Sequence, residues 1–289
     1  MSNKGFEVTL SATPIQTDKF AWYLDWNISR NRNKLIKLAP GLSRYKVTWE
    51  YYGNVELYAI EGRPFGEMYG GNYVYDDAGN RLVDENGFYL RSKDKEVLGN
   101  INPEFTTGLT NTFTYGNLSL SFTFDYQHGG SYYAGAYALG MYAGTIRETV
   151  ANGMRERDAS GPKGQKGIVL DGVVARVESD GTIVSTGVKN TKAISPKEYG
   201  STFYKGIDAQ AIFDATFLKL RSVSLSYEVP LPETKHIKGL NFTLSGYNLW
   251  TGALAWDGMD PEIAASNKGI GETSLPSTRS FGMSLGLKL

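Results

Sequence analysis

The chain has 289 residues, a length that suits one or two soluble domains or part of a large barrel. Its 30 basic and 30 acidic residues balance, which removes the electrostatic case for a nucleic-acid partner, since phosphate binding needs a basic excess. Cysteine is absent, excluding disulfides and thiol chemistry, while 34 glycines, 19 tyrosines and 5 tryptophans suit an all-β protein.

No run of about 18 apolar residues could form a membrane-spanning helix, and mean hydropathy is negative. That does not argue for solubility, because transmembrane barrels alternate apolar and polar residues and keep a low mean. Met1 leads directly into a strand pattern, without the charged and apolar regions of an export signal. An outer-membrane reading therefore carries the expectation that the signal lies on an absent N-terminal part.

The first element is a strand in which Phe6, Val8, Leu10 and Ala12 oppose Glu7, Thr9, Ser11 and Thr13. Phe20, Trp22, Leu24, Trp26 and Ile28 mark the second, against Asp25, Asn27 and Ser29. Weaker strands are predicted over Val55 to Glu61, Phe65 to Tyr75 and Phe105 to Tyr115. From Leu118 to Gln127 no position breaks the alternation: Leu118, Leu120, Phe122, Phe124 and Tyr126 share one face. Tyr132 to Val150 reads as a short helix, followed by a Gly-rich, charged stretch from Gly153 to Gly187. Phe217 to Val229 and Leu240 to Trp250 follow, and Phe281, Met283, Leu285, Leu287 and Leu289 line the last strand. This gives roughly nine strands, several near the roughly 9–11 residues a tilted strand needs to cross a bilayer.

In the strongest segments the charges are Glu7, Asp25, Asp125, Glu228 and Lys288, all on the polar face. The rest of that face is mostly Ser, Thr, Gly and Asn rather than the Lys and Glu of a wet soluble sheet, which favours a lipid face opposite a water-filled lumen. Connections alternate in length. Pro14 to Lys19, Gly62 to Pro64, Gly116 to Asn117 and Pro230 to Gly239 are short, and Arg30 to Asn54, Asp76 to Glu104, His128 to Thr216 and Thr251 to Arg279 are long. Short turns belong on the periplasmic side of such barrels and long loops outside. The predicted fold class is thus all-β, an antiparallel transmembrane β-barrel segment with long extracellular loops.

Specific words then resemble the C-terminal half of SusC/RagA-type TonB-dependent transporters. Asn3-Lys4-Gly5-Phe6-Glu7 is similar to a mid-barrel strand start, and Glu61-Gly62-Arg63-Pro64-Phe65-Gly66 to a tight turn before a Tyr-rich strand. The run from Phe217 to Tyr227, followed by Pro230, matches a strand written FLKLRxVSLSY. Gly246-Tyr247-Asn248-Leu249-Trp250, Asp260-Pro261-Glu262 and Thr278-Arg279-Ser280-Phe281 follow in the family's order. The resemblance implies a 22-stranded barrel, of which residues 1–289 would supply the last nine or so strands, without signal peptide, plug or earlier strands. It implies integral residence in the lipid of a Gram-negative outer membrane and active import of an oligosaccharide or oligopeptide. The implied partners are a SusD-like surface lipoprotein acting as a lid and the TonB complex, reached through the missing N-terminal region. Barrels of this class commonly end in an aromatic residue read by the assembly machinery, whereas here the last residue is Leu289.

Candidate chemistry is sparse. Asp257, Asp260 and Glu262 form the densest acidic cluster beside aromatic residues, but their spacing lacks the alternation of a calcium loop, and a polar surface loop is the simpler reading. Asp76-Asp77-Ala78-Gly79-Asn80 reads as turn chemistry. His128 and His236 lie far apart and read as loop residues, so no catalytic, metal or cofactor residue is assigned. Tyr132, Tyr133 and Trp256 are candidates for stacking on a sugar substrate, and Trp250, at a strand end, suits a membrane girdle better. The competing reading is a secreted or soluble all-β carbohydrate-active or carbohydrate-binding protein with the Asp257 loop at its site.

Overall fold

The computed structural model describes residues 1–49, 55–153, 167–203, 206–232, 237–266, 269–271 and 277–288. His236 and Leu289 lie outside them, as do residues 154–166 of the Gly153 to Gly187 stretch.

Seven strands form one antiparallel sheet in sequence order: β1 (Ser2–Gln16), β2 (Phe20–Lys34), β3 (Phe105–Tyr115), β4 (Leu118–His128), β5 (Phe217–Val229), β6 (Gly239–Gly252) and β7 (Ser280–Lys288). Register aligns the apolar residues in rows across the sheet. One row runs Leu10, Trp26, Leu109, Phe124, Leu220, Trp250. Another runs Trp22, Phe113, Leu120, Leu225, Leu244, Met283. A third, nearest the short turns, runs Phe20, Tyr115, Leu118, Tyr227, Phe242, Leu285. Among the described residues no cluster packs over this face. Leu10 is 50% exposed, Leu244 45% and Met283 74%, far beyond the scattered apolar residues of an ordinary surface.

The band also absorbs its own polar intrusions. Asn111 shares the face of Leu109 and Phe113, yet it is buried and accepts the Trp22 indole N–H at 3.0 Å. Thr107 accepts the Trp26 indole N–H at 2.8 Å. On the other face hydroxyls pair across strands, as in Thr110 with Thr123 at 2.9 Å and Ser226 with Thr243 at 2.8 Å.

The expected count of nine strands needs correction. The segments predicted over Val55 to Glu61 and Phe65 to Tyr75 fold as Glu56–Ile60 and Glu67–Gly70, inside a separate four-stranded sheet with Arg44–Trp49 and Glu96–Asn100. Their alternation reflects a half-buried sheet, with Leu57 and Ala59 inside, and period two alone does not separate that from a lipid-facing strand. Because the two drop out as a pair, the alternation of connections survives. Residues 17–19, 116–117 and 230–238 are the short links at one end, and 35–104, 129–216 and 253–279 the long ones at the other.

The packed core lies in the long connections. Val55, Leu57 and Met68 from the first, Tyr133, Ala138, Met141, Phe203 and Ala211 from the second, and Ile270 from the third form one cluster. The predicted helix is present as α1 (Gly135–Ala143), closed by Gly144 at φ 70°, with a 3-10 turn over Arg147–Gly153. Two shorter helices, α2 (Pro196–Ser201) and α3 (Pro261–Ser266), complete this layer.

Candidate functional site

The densest charged chemistry among the described residues sits where this loop layer meets the sheet. It begins with an irregularity in β5. Leu218 and Leu220 lie on the apolar face, but the next apolar residue is Val223, three positions on. A bulge between Leu220 and Ser222 absorbs Arg221 and restores the phase, pairing Ser222 with Thr123 and Tyr247. Opposite it, Asn248 takes up the slack in the left-handed region at φ 53°. Lys219 and Arg221 thereby both reach the polar side.

There they meet α3. The Lys219 ammonium, only 2% exposed as a residue, donates to both Asp260 oxygens at 2.7 and 2.6 Å and to Glu262 at 2.7 Å. The Arg221 guanidinium grips both Glu262 oxygens, at 2.8 and 2.6 Å, and donates through Nε to Asp125 on β4. The Asp260 carboxylate also accepts the Glu262 backbone N–H at 3.0 Å, and the buried Pro261 opens the helix. Arg221, with Lys219 adding to it, holds the Glu262 carboxyl at about 2, well below the usual carboxylate range. Two cations meet three carboxylates, so a helix of the third connection is fastened to two strands of the sheet.

The acidic cluster read as a polar surface loop is therefore divided. Asp260 and Glu262 are structural anchors, while Asp257 pairs bidentately with Arg147 at 2.8 and 3.2 Å in the open. Sequence reasoning missed Lys219, Arg221 and Asp125. The available signal was the phase break after Leu220, two cations inside a strand, and an acidic word downstream.

Tyr132 and Tyr133 are corrected more sharply. Each is 1% exposed, and neither offers an open face for a sugar ring to stack on. Tyr133 belongs to the main loop core, and Tyr132 packs with Ala134, Ala215, Trp256 and Ala264. Burial raises the Tyr132 phenol above its ordinary pKa, with Asp260 and Asp214 adding to the effect, so it stays neutral. Trp256 is buried too, at 8% exposed, with only its rim open. Its ring stacks on Phe213 and meets Tyr137 edge-on, its N–H donates to Glu148 at 3.0 Å, and its rim lines an open recess with Ala136, Ile146, Arg147 and Asp257. His128 is the last residue of β4 rather than a loop residue, with Tyr126 Oη 3.3 Å from its Nδ1. Asp76 accepts the backbone N–H groups of Ala78 and Asn80 and the Asn80 amide, which is turn chemistry.

The remaining words meet at the same junction. The Phe65 N–H donates to Asn33, near the end of β2, at 2.6 Å, and Glu61 accepts the Leu38 N–H at 2.6 Å, so the turn of residues 61–66 docks onto the sheet rather than closing a wall hairpin. Gly5 leaves room for the Arg30 carbonyl, which a Cβ would strike.

No protein-family model matches the chain. TonB-dependent receptor P3 of Formosa agariphila is 24% identical over 322 aligned residues, covering all of this chain and 29% of the receptor. TonB-dependent receptor SusC of Bacteroides thetaiotaomicron is 28% identical over 53% of this chain and 18% of its own length. Among solved structures, the RagAB peptide transporter covers 99% of the chain and 29% of the matched chain, with TM-score 0.64 at 19% identity. The RagAB peptide importer in the open-open state gives 0.62 at 19%, over 99% of the chain and 28% of its own. In sequence and in fold the chain resembles part of the SusC/RagA-type TonB-dependent transporters. It spans under a third of the length of these relatives. In a SusC/RagA-type barrel the seven strands are wall, and the Lys219 and Arg221 network ties a long loop to the wall's polar side.

Proposed function

We propose that the complete protein imports a bulky nutrient, an oligosaccharide or oligopeptide, across the outer membrane in a TonB-dependent way. In this reading the present chain contributes wall strands and the extracellular loop layer. The single observation that carries the reading is the exposed apolar face running in register across all seven strands, back to back with a hydroxyl-rich face. A secreted carbohydrate-active protein would have to cover such a band or aggregate through it. The long connections at one end support placing that end outside the cell, where a SusD-like lipoprotein would close over the mouth. The connection from His128 to Thr216, including residues 153–187, has the length for docking that lid. Plug and TonB-interacting functions belong to the remainder of the protein, and no enzymatic step is assigned to this chain.

The reading is tested by paired substitutions in the full-length protein. A cation facing lipid near the midplane costs roughly 2–4 kcal/mol, whereas one facing the lumen stays in water. Leu120→Arg is therefore expected to depress the yield of heat-modifiable, folded protein in the outer membrane strongly, and Ser121→Arg only slightly. Equal yields would remove the lipid from the apolar face.

A further inference from the structure

We propose that the apolar face of β1 and β2, just beyond its hydrophobic band, binds the phosphate groups of an anionic lipid in the adjoining leaflet. The proposal rests on the barrel reading above. Along β2 the face reads Phe20, Trp22, Leu24, Trp26, Ile28 and then, in unbroken phase, Arg30, Arg32 and Lys34. Register sets Phe6 opposite Arg30 and Lys4 opposite Arg32, so Lys4 joins them on β1. At a strand rise of about 3.3 Å per residue, Arg30 to Lys34 spans about 13 Å starting where the apolar residues stop.

Lys4, Arg32 and Lys34 are exposed and Arg30 is half-buried, and among the described residues none of the four makes an ion pair. Glu7, the nearby acid on β1, belongs to the opposite face, where its carboxylate accepts from Ser29. Glu104 is the acidic neighbour to be weighed: it lines a recess of about 310 Å³ with Arg32, Asn31, Asn33 and Asn102, and its carboxylate lies 4.0 Å from His128. The stripe therefore keeps a net positive charge. Soluble surfaces intersperse signs, whereas these cations follow one another at the level where a spanning strand passes from acyl chains to headgroups. Guanidinium forks match phosphate oxygens bidentately, and the lysines add point charges. The other end of the same face closes on the row from Phe20 to Leu285, which carries aromatic residues instead of cations.

The test uses full-length protein reconstituted in nanodiscs of neutral phospholipid doped with a bis-phosphorylated glycolipid or with its dephosphorylated counterpart. Glycolipid retained after detergent exchange is quantified by mass spectrometry at low and high salt. Wild type is expected to retain the phosphorylated lipid at least about tenfold better than the Lys4→Gln, Arg32→Gln, Lys34→Gln triple variant at low salt, with the gap closing at high salt. Arg30→Lys with Arg32→Lys should preserve most of the retention, because the charges remain. Equal retention by wild type and the triple variant, or of the two lipids by wild type, overturns the proposal and leaves the barrel reading intact. Failure of wild type to enter nanodiscs at all overturns the barrel reading, and the stripe with it.

Discussion

Lys219 carries a heavy electrostatic demand. It is buried, its partner Asp260 is nearly so, and the pair holds only because both Asp260 oxygens and Glu262 accept its protons. Removing one member of such a buried set leaves an uncompensated charge, at a cost of about 3–5 kcal/mol. Lys219→Met, which keeps the volume, is expected to free the connection over residues 253–279 without unfolding the wall, read as protease cleavage in that segment of full-length protein in detergent. Resistance equal to wild type would deny the anchor its role. Glu262 adds a pH dependence of definite sign. Its folded pKa lies below the ordinary value of 4.5, so its contribution is complete above about pH 4.5 and disappears as pH falls through about 2. Its side chain is 46% exposed, so screening makes the effect small. Loop protection in wild type and in Glu262→Gln is expected to differ near neutral pH and converge toward pH 2. A difference that persists at pH 2 would assign the effect elsewhere. At this scale the sequence was only partly legible. Asp260 and Glu262 stood out as an acidic cluster, but the basic residues that meet them are 41 positions or more away. Tyr132 and Tyr133 misled because an aromatic residue looks the same on a core and on a binding surface.

Among the elements, the wall strands were the most readable, since each faces two environments and writes both into its alternation. The Leu118 to Gln127 segment coincides with β4 almost to the residue. The segments at 55–61 and 65–75 misled through the same logic, because a short strand packed on a loop core alternates as well, and only its length gives it away. β5 contains an informative break in phase. With Arg221 as the bulge residue, deleting it leaves Leu218, Leu220, Val223 and Leu225 in strict alternation and keeps Ser222 and Ser224 on the polar side. Deletion of Arg221 is therefore expected to leave the wall assembled, as is Arg221→Ala, with α3 loosened in both. The two variants are compared by heat-modifiable mobility, and loss of folded barrel in the deletion alone would mean that the bulge itself is needed to assemble the wall.

Across the whole molecule the division of labour is between a wall without a core and a loop layer that has one. The wall gains its stability from hydrogen-bonded neighbours and from what bathes its apolar face, whereas the loops bury Leu57, Met68, Tyr133 and Met141 among themselves and are fastened to the wall through Asp125, Lys219 and Arg221. That cooperation between three long connections was invisible in the sequence, because residues from positions 55 to 270 meet only after the wall has brought the connections to one end. The wall's two environments remain the central claim, and they are most directly measured by nitroxide labels placed singly from Leu118 to Gln127 in full-length protein in bilayers. Collision with lipid-soluble oxygen is predicted to peak at 118, 120, 122, 124 and 126, and collision with a water-soluble relaxant at the positions between. Uniform accessibility, or the opposite phase, would contradict a barrel wall with lipid on the leucine face.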